Sequence, residues 1–255
     1  MRHFIHLAYQ GTKYRGWQRQ LKERSVQATI EDQLSKMLKT KTLIHGCGRT
    51  DAGVHASQYF VHADLPENLD YDVVERLNHI LPDDIAIYEV IPLKDPYCNA
   101  QTDANARSYE YYMHFEKLPH LKDTSTYFKV KELDVEAMQS AIKVLSKTRD
   151  FRSLCKGPDI YKHTRCNVQA VSLEVTHDGK RMLFSITANR FLRAMIRNIV
   201  ARLIDIGKGE LSLEKFVDVI SNQKEFEFPL HKQAPPTGLY LSKVIYPYLE
   251  REVIR

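Results

Sequence analysis

At 255 residues, 43% of them hydrophobic and 27% charged, the chain can build one large domain or two smaller ones around cores of their own, without help from disulfides or metal. Lys and Arg number 37 against 32 for Asp and Glu, and the resulting net charge of +5 permits a nucleic-acid partner without a polybasic tail to announce one. Cys47, Cys98, Cys155 and Cys166 are scattered with no C-x-x-C pair, the first residues lack the apolar run of a signal peptide, and no stretch is apolar over a bilayer's thickness. The expectation is a cytoplasmic protein with no membrane segment.

Apolar patterning predicts a strand over 4–9, then a loop containing Gly11 and Gly16. Ser25 is placed to cap a helix in which Val26, Ile30, Leu34, Met37 and Leu38 recur at helical spacing, so that one face packs inward. Strands are expected over 43–46 and 59–63, which puts Asp51 in the loop between them. A helix over 72–81 ends at Pro82, and a strand over 85–91 completes a first half. Residues 92–105 carry two prolines and little periodicity, which sets a boundary near Tyr97 and gives units of 1–97 and 98–255.

The second half opens on a strand whose Tyr109, Tyr111 and Met113 share one face, with Glu110, Tyr112 and His114 on the other. A helix over 134–145 follows, then a hairpin of 171–176 and 182–188 turning at Asp178-Gly179. A long amphipathic helix is expected over 191–206, ended by Gly207 and Gly209, then a helix over 213–220 and a last strand over 239–245. Two successive mixed halves imply an α+β fold whose subdomains share an extended, mainly antiparallel sheet with a cleft between them. Cys155, His163 and Cys166 lie within a dozen residues, but their spacing fits no standard zinc pattern and no fourth ligand presents itself, so no metal site is expected.

The segment Gly46-Cys47-Gly48-Arg49-Thr50-Asp51-Ala52-Gly53-Val54-His55 carries the most information. Its glycines suit a backbone that turns sharply or admits close approach by another chain. On its own, Asp51-Ala52-Gly53 is an ordinary turn in which a carboxylate accepts backbone N–H groups. A phosphate-cradling loop fits poorly, because the lysine of that pattern is absent and a carboxylate sits at the centre.

The longer match decides between these readings. Gly48 to His55 resembles, position for position, the signature G-R-T-D-x-G-V-H of the TruA family of tRNA pseudouridine synthases. Tyr9 to Gln20 is similar to that family's Y-D-G-x-x-Y-x-G-W-Q-x-Q, and Arg107-Ser108-Tyr109-Glu110-Tyr111 to its R-x-Y-x-Y strand. Phe191 to Asn198 matches F-x-x-x-M-[VI]-R-N, and Gly238-Leu239-Tyr240-Leu241 the closing G-L-Y-L. The resemblance spans nearly the whole chain. The sequence departs from the pattern at Gln10 (usually Asp), at Gln101 (in a segment that usually reads F-x-A-R) and at Ala201 (usually Gly).

The resemblance implies the pseudouridine synthase fold, with two ferredoxin-like mixed subdomains, and an isomerase that detaches uracil from C1′, rotates it and rejoins it through C5 in the anticodon arm of tRNA, at family positions 38 to 40. Asp51 would be the nucleophile, a role suited to a carboxylate facing an electrophilic or oxocarbenium-like carbon. Tyr109 would stack on the target base and move the C5 proton, and Arg197 would pair with Asp51. Arg49 would enter where the flipped nucleotide leaves the stack. Arg15, Arg19, Lys22, Arg24 and Arg193, with Lys36, Lys39, Lys41 and Arg190, form local basic clusters suited to RNA phosphates. No cofactor is implied, since the reaction has no net redox change, and the family works as homodimers that share a tRNA. The competing classes are a catalytically weak tRNA-binding or folding protein on the same fold and an N-glycosidase that releases the base.

Overall fold

Strand β1 (Arg2–Tyr9) is buried along most of its length because it is paired on both edges. β3 (His55–Asp64) runs antiparallel to it from Arg2↔Asp64 to Tyr9↔Ala56, and β4 (Ile85–Pro92) runs antiparallel on the other side. The far edge of β3 takes two partners, the short antiparallel β2 (His45–Gly46) at its end and the parallel β9 (Leu239–Ile245) at its start. The structure, a computed structural model, describes residues 1–67, 69–226 and 233–249.

The fold divides into two compact units, the first made of Met1–Arg107 with the chain from Tyr240 onward, the second of Ser108–Leu239. The first therefore takes in residues on both sides of the 97/98 boundary expected from sequence, together with the C-terminal strand. Its helix α1 (Val26–Leu38) begins where the Ser25 side chain accepts the Ala28 N–H at 3.3 Å, and it buries Val26, Ile30 and Leu34. It ends at Lys39, which takes the left-handed conformation of a helix C-terminus (φ 52°). α2 (Val73–Ile80) is capped by the Asp72 carboxylate, which accepts the Val74 and Glu75 N–H groups, and packs on β4.

In the second unit β8 (Arg181–Ala188) lies between β5 (Ala106–His114) and β7 (Val168–Val175), with the two-residue β6 (Thr126–Tyr127) parallel to β5. The β7–β8 hairpin turns at Gly179 (φ +68°), as the Asp-Gly pair predicts. α3 (Val135–Lys147) buries Met138, Ala141, Ile142 and Leu145 against β7, α4 (Met195–Gly207) and α5 (Leu213–Ser221).

Elements predicted from periodicity are present with boundaries shifted by up to four residues, the two largest differences being the start of β3 at His55, four residues before the predicted start, and the start of α4. α4 starts at Met195, four residues after the predicted start, because Ala194 adopts a left-handed conformation (φ 59°) that a continuous helix excludes. Phe191 to Ala194 therefore approach the helix as irregular chain, and Arg193 lies outside it. On β5, Tyr111 and Met113 are buried and Tyr112 is exposed as the alternation requires, but His114 on the Tyr112 face is also buried, its ring stacked on Tyr127 and its Nδ1 bonded to Ser125.

Candidate active site

The signature loop of the first unit joins β2 to β3, and its backbone is held at nearly every residue. The Cys47 N–H donates to the Phe60 carbonyl at 2.8 Å, and the Cys47 carbonyl accepts both Nε and Nη2 of Arg107 at 3.1 and 2.7 Å. Tyr59 donates its hydroxyl to the Gly48 carbonyl. Thr50 is buried, its hydroxyl bonded to that of Tyr9 at 2.8 Å and its carbonyl accepting the Trp17 N–H at 3.1 Å. The Gly53 N–H donates to the Tyr14 carbonyl at 3.2 Å, and the Val54 N–H closes a turn on the Asp51 carbonyl at 3.1 Å. Gly53 stands third in that turn at φ +77°, where only glycine is free of strain. Arg49 and Asp51 alternate with buried Thr50 and are exposed.

The Tyr9 to Gln20 segment is the other half of this construction. A Cβ at Gly11 would overlap the Val54 carbonyl, and one at Gly16, whose φ is +92°, would lie 2.6 Å from the Thr50 carbonyl oxygen. Two glycines thus let one backbone lie directly on the other. Trp17 is buried with its ring 4.2 Å from that of Tyr59, and the Tyr14 hydroxyl donates to Asp84. That bond and burial raise the Tyr14 pKa above the ordinary phenol range, desolvation being the larger cause. His55, the last signature residue, is fully buried. Its Nδ1 accepts the Gly11 N–H at 3.1 Å and its ring stacks on Tyr240 of β9. Burial pushes the Tyr240 phenol up to about 12, so it is neutral at physiological pH.

Of the basic residues expected to meet phosphates, Arg15 pairs with Glu23 at 3.4 Å and Arg24 lies over the Tyr14 ring at 4.8 Å, while Lys22 is exposed. Arg19 has a structural task. Its Nε binds buried Glu31 and its Nη2 binds Asp32, both at 2.6 Å, and Glu31 also accepts the Ile44 N–H at 3.1 Å. Gln101 is exposed; its carbonyl accepts Nη2 of Arg107 at 2.7 Å.

The second unit holds the other candidates. Tyr109 is half-buried on β5, with Phe191 edge-on at 5.0 Å. Arg197 is half-buried near the start of α4; its Nε donates to the Ala234 carbonyl at 2.6 Å, and the Ala234 N–H returns a bond to the Arg197 carbonyl at 3.1 Å. That reciprocal pair ties Arg197 to the chain at Ala234. Asn198 donates to the Leu154 carbonyl at 3.0 Å, fastening α4 to the preceding loop. Arg193 is exposed, its backbone N–H bonded to the Tyr161 hydroxyl at 2.9 Å.

Sequence reasoning missed Arg107, His55 and Tyr240 as parts of the site's support. Each lies inside a quoted motif, so the signal was present, but only the folded chain shows which backbone each one holds. Cys155 and Cys166 are buried thiols whose pKa values burial lifts to about 11, and among the described residues no group of His, Cys, Asp or Glu is arranged to hold a metal.

An exposed carboxylate on a rigid, glycine-built turn, in a mixed α/β fold, defines a class that comparison makes specific. The family model described as tRNA pseudouridine synthase matches residues 141–247. Over 251 residues the chain is 39% identical to tRNA pseudouridine synthase A of Porphyromonas gingivalis, covering 96% of this chain and 97% of that one. It is 39% identical over 249 residues to the protein of that name from Parabacteroides distasonis, covering 96% of each, and 34% identical over 251 residues to that of Thermodesulfovibrio yellowstonii, covering 94% and 97%. The chain belongs to the tRNA pseudouridine synthase A family, and is by that membership an isomerase.

Proposed function

We propose that the chain converts uridine to pseudouridine in the anticodon stem-loop of tRNA, at family positions 38 to 40, with Asp51 as nucleophile. The bond between N1 and C1′ breaks, the uracil turns while held in the site, and C5 bonds to C1′. The proton on C5 then leaves and one is returned to N1, so atoms and electrons balance without a cofactor. Attack by Asp51 at C1′ or at C6 of the base both satisfy this balance.

The observation that carries the reading is the setting of Asp51: an exposed carboxylate on a turn whose neighbours Cys47, Gly48, Thr50 and Gly53 are each held through the backbone. Such rigidity limits the reorganisation needed at the reacting carbon. Arg49, exposed two residues before it, is assigned to the space the extruded nucleotide vacates. Tyr109 is assigned to stack on the uracil and carry the C5 proton, and Arg197 to pair with Asp51 and keep it ionised. Arg15, Lys22, Arg24 and Arg193 are assigned to phosphates. The protein acts in this reading as a homodimer in the cytoplasm, a compartment that suits its four buried free thiols. Among the described residues no helix is long and apolar enough to cross a membrane.

Incubating the protein with unmodified tRNA and mapping pseudouridine tests the reading. Product at the anticodon arm without free uracil supports it; tRNA binding without product supports a binding protein, and released uracil an N-glycosidase. Asp51→Asn is expected to abolish product while tRNA affinity stays within a few-fold, and near-normal turnover in that variant would remove the nucleophile assignment.

A further inference from the structure

In the second unit the segment from Arg149 to Cys166 closes on itself: the Cys166 N–H donates to the Arg149 carbonyl at 2.9 Å, Asp150 and Arg165 form a backbone bridge, and the Phe151 N–H donates to the Thr164 carbonyl at 3.1 Å. Phe151, Leu154 and Cys155 are buried beneath it. The loop is fastened to the chain entering α4 by the Lys156 N–H on the Arg193 carbonyl at 3.0 Å, and to α4 itself by Asn198. It is a preformed surface tied to the helix that carries Arg197.

Its charge is one-sided. Of its two carboxylates, Asp150 accepts the Arg152 N–H and the Thr164 hydroxyl, and Asp159 pairs with Arg152 at 2.6 Å, so both are engaged within the loop. Arg149, Lys156, Lys162, Arg165 and Arg193 are exposed, and no carboxylate of the described residues lies within ion-pair distance of them. Arg190 lies over the Tyr161 ring at 5.7 Å, and the Tyr161 hydroxyl holds the Arg193 N–H, so an aromatic residue sits among the cations. Cations gathered this way repel one another in the free protein, and a polyanion relieves that repulsion while releasing its own counterions. A protein partner would call for an apolar centre, and the one large exposed apolar side chain of this loop is Ile160.

We propose that the closed loop 149–166, with Arg190 and Arg193, is a platform for the ribose-phosphate backbone of the RNA, holding the substrate against the unit that carries Tyr109 and Arg197. The proposal rests on the tRNA reading above. It is tested by the triple variant Lys156→Ala/Lys162→Ala/Arg165→Ala, compared with the charge-matched control Lys131→Ala/Lys143→Ala/Lys147→Ala, whose lysines are exposed elsewhere in the same unit. Binding of unmodified tRNA is measured against salt concentration. For the triple variant, Kd should rise about tenfold or more near physiological salt, and the log–log salt slope should shrink by about 2 to 3, at roughly 0.7 to 0.9 for each phosphate no longer neutralised. The single reversal Lys162→Glu, at an exposed position, should move both in the same direction. Unchanged affinity and slope in the triple variant, or an equal loss in the control, would overturn the platform. A wild-type protein that binds with the steep slope but forms no pseudouridine would sink the catalytic reading and leave the platform standing.

Discussion

The imidazole of His55 lies on the phenol of Tyr240 with ring centroids 4.5 Å apart and planes 19° from parallel, on strands that meet at that residue pair. The stack joins the end of the signature loop to the closing strand, and His55 Nδ1 also takes the Gly11 N–H. The ring proton therefore sits on Nε2. His55→Phe keeps the stack but strands the buried Gly11 donor, and should cost about 1–3 kcal/mol. His55→Ala adds a cavity and should cost about 3 kcal/mol or more. Denaturant unfolding ranks the two; equal stability of His55→Phe and wild type would show that the Gly11 bond contributes nothing.

Gly16→Ala should damage turnover more than binding. The new methyl must enter a backbone at φ +92°, 2.6 Å from the Thr50 carbonyl, so the loop shifts beside Asp51. Single-turnover rates at saturating tRNA should fall at least tenfold, with Kd changed by only a few-fold. A variant with unchanged rate would show that the loop's position tolerates displacement.

Arg19→Ala should read out as lost stability. Its guanidinium serves Glu31, which is 3% exposed, and Asp32, and these two bonds hold its pKa above the usual arginine value, Asp32 contributing more. Removing it leaves Glu31 with its Gln27 and Ile44 bonds alone, at a cost of about 1–3 kcal/mol. The salt slope of tRNA binding should not change. A slope reduced by about 0.7 to 0.9 without loss of stability would reassign Arg19 to a phosphate.

Acid should destabilise the first unit through His62. Burial, aided by the charges of Arg2 and His45, lowers its pKa from 6.5 to about 4, and its Nδ1 accepts the Ala100 N–H at 3.1 Å. Between those values the unfolded chain binds a proton that the folded chain does not, so stability falls as pH drops from about 6.5 towards 4. His62→Asn can still accept from Ala100 and cannot titrate, so its stability profile should be flatter across that window. A slope equal to that of wild type would place the acid sensitivity elsewhere.

Much of the fold was legible because the signals are local. Ser25 caps its helix where the pattern put it, the helices expected over 72–81 and 134–145 are present with Asp72 and Asp134 as their caps, and the Asp178-Gly179 turn and the last strand are where they were expected. The start of α4 was not legible, since the apolar spacing runs back through Phe191 and nothing in it reveals the left-handed Ala194. Arg19 read as a surface cation because the burial of Glu31, twelve residues on, is a tertiary fact.

The sequence by itself determined the order of the elements, the family to which the chain belongs and the position of Asp51 in a loop between two strands, because periodicity, caps and an eight-position signature are written along the chain. Only the tertiary structure decided what makes that loop rigid: Gly11 and Gly16 lying on it, Arg107 and Tyr59 holding its carbonyls, His55 bound between Gly11 and Tyr240. Those partners are remote in sequence, and which donor meets which carbonyl depends on strand register and close packing, quantities that no single segment of the chain contains.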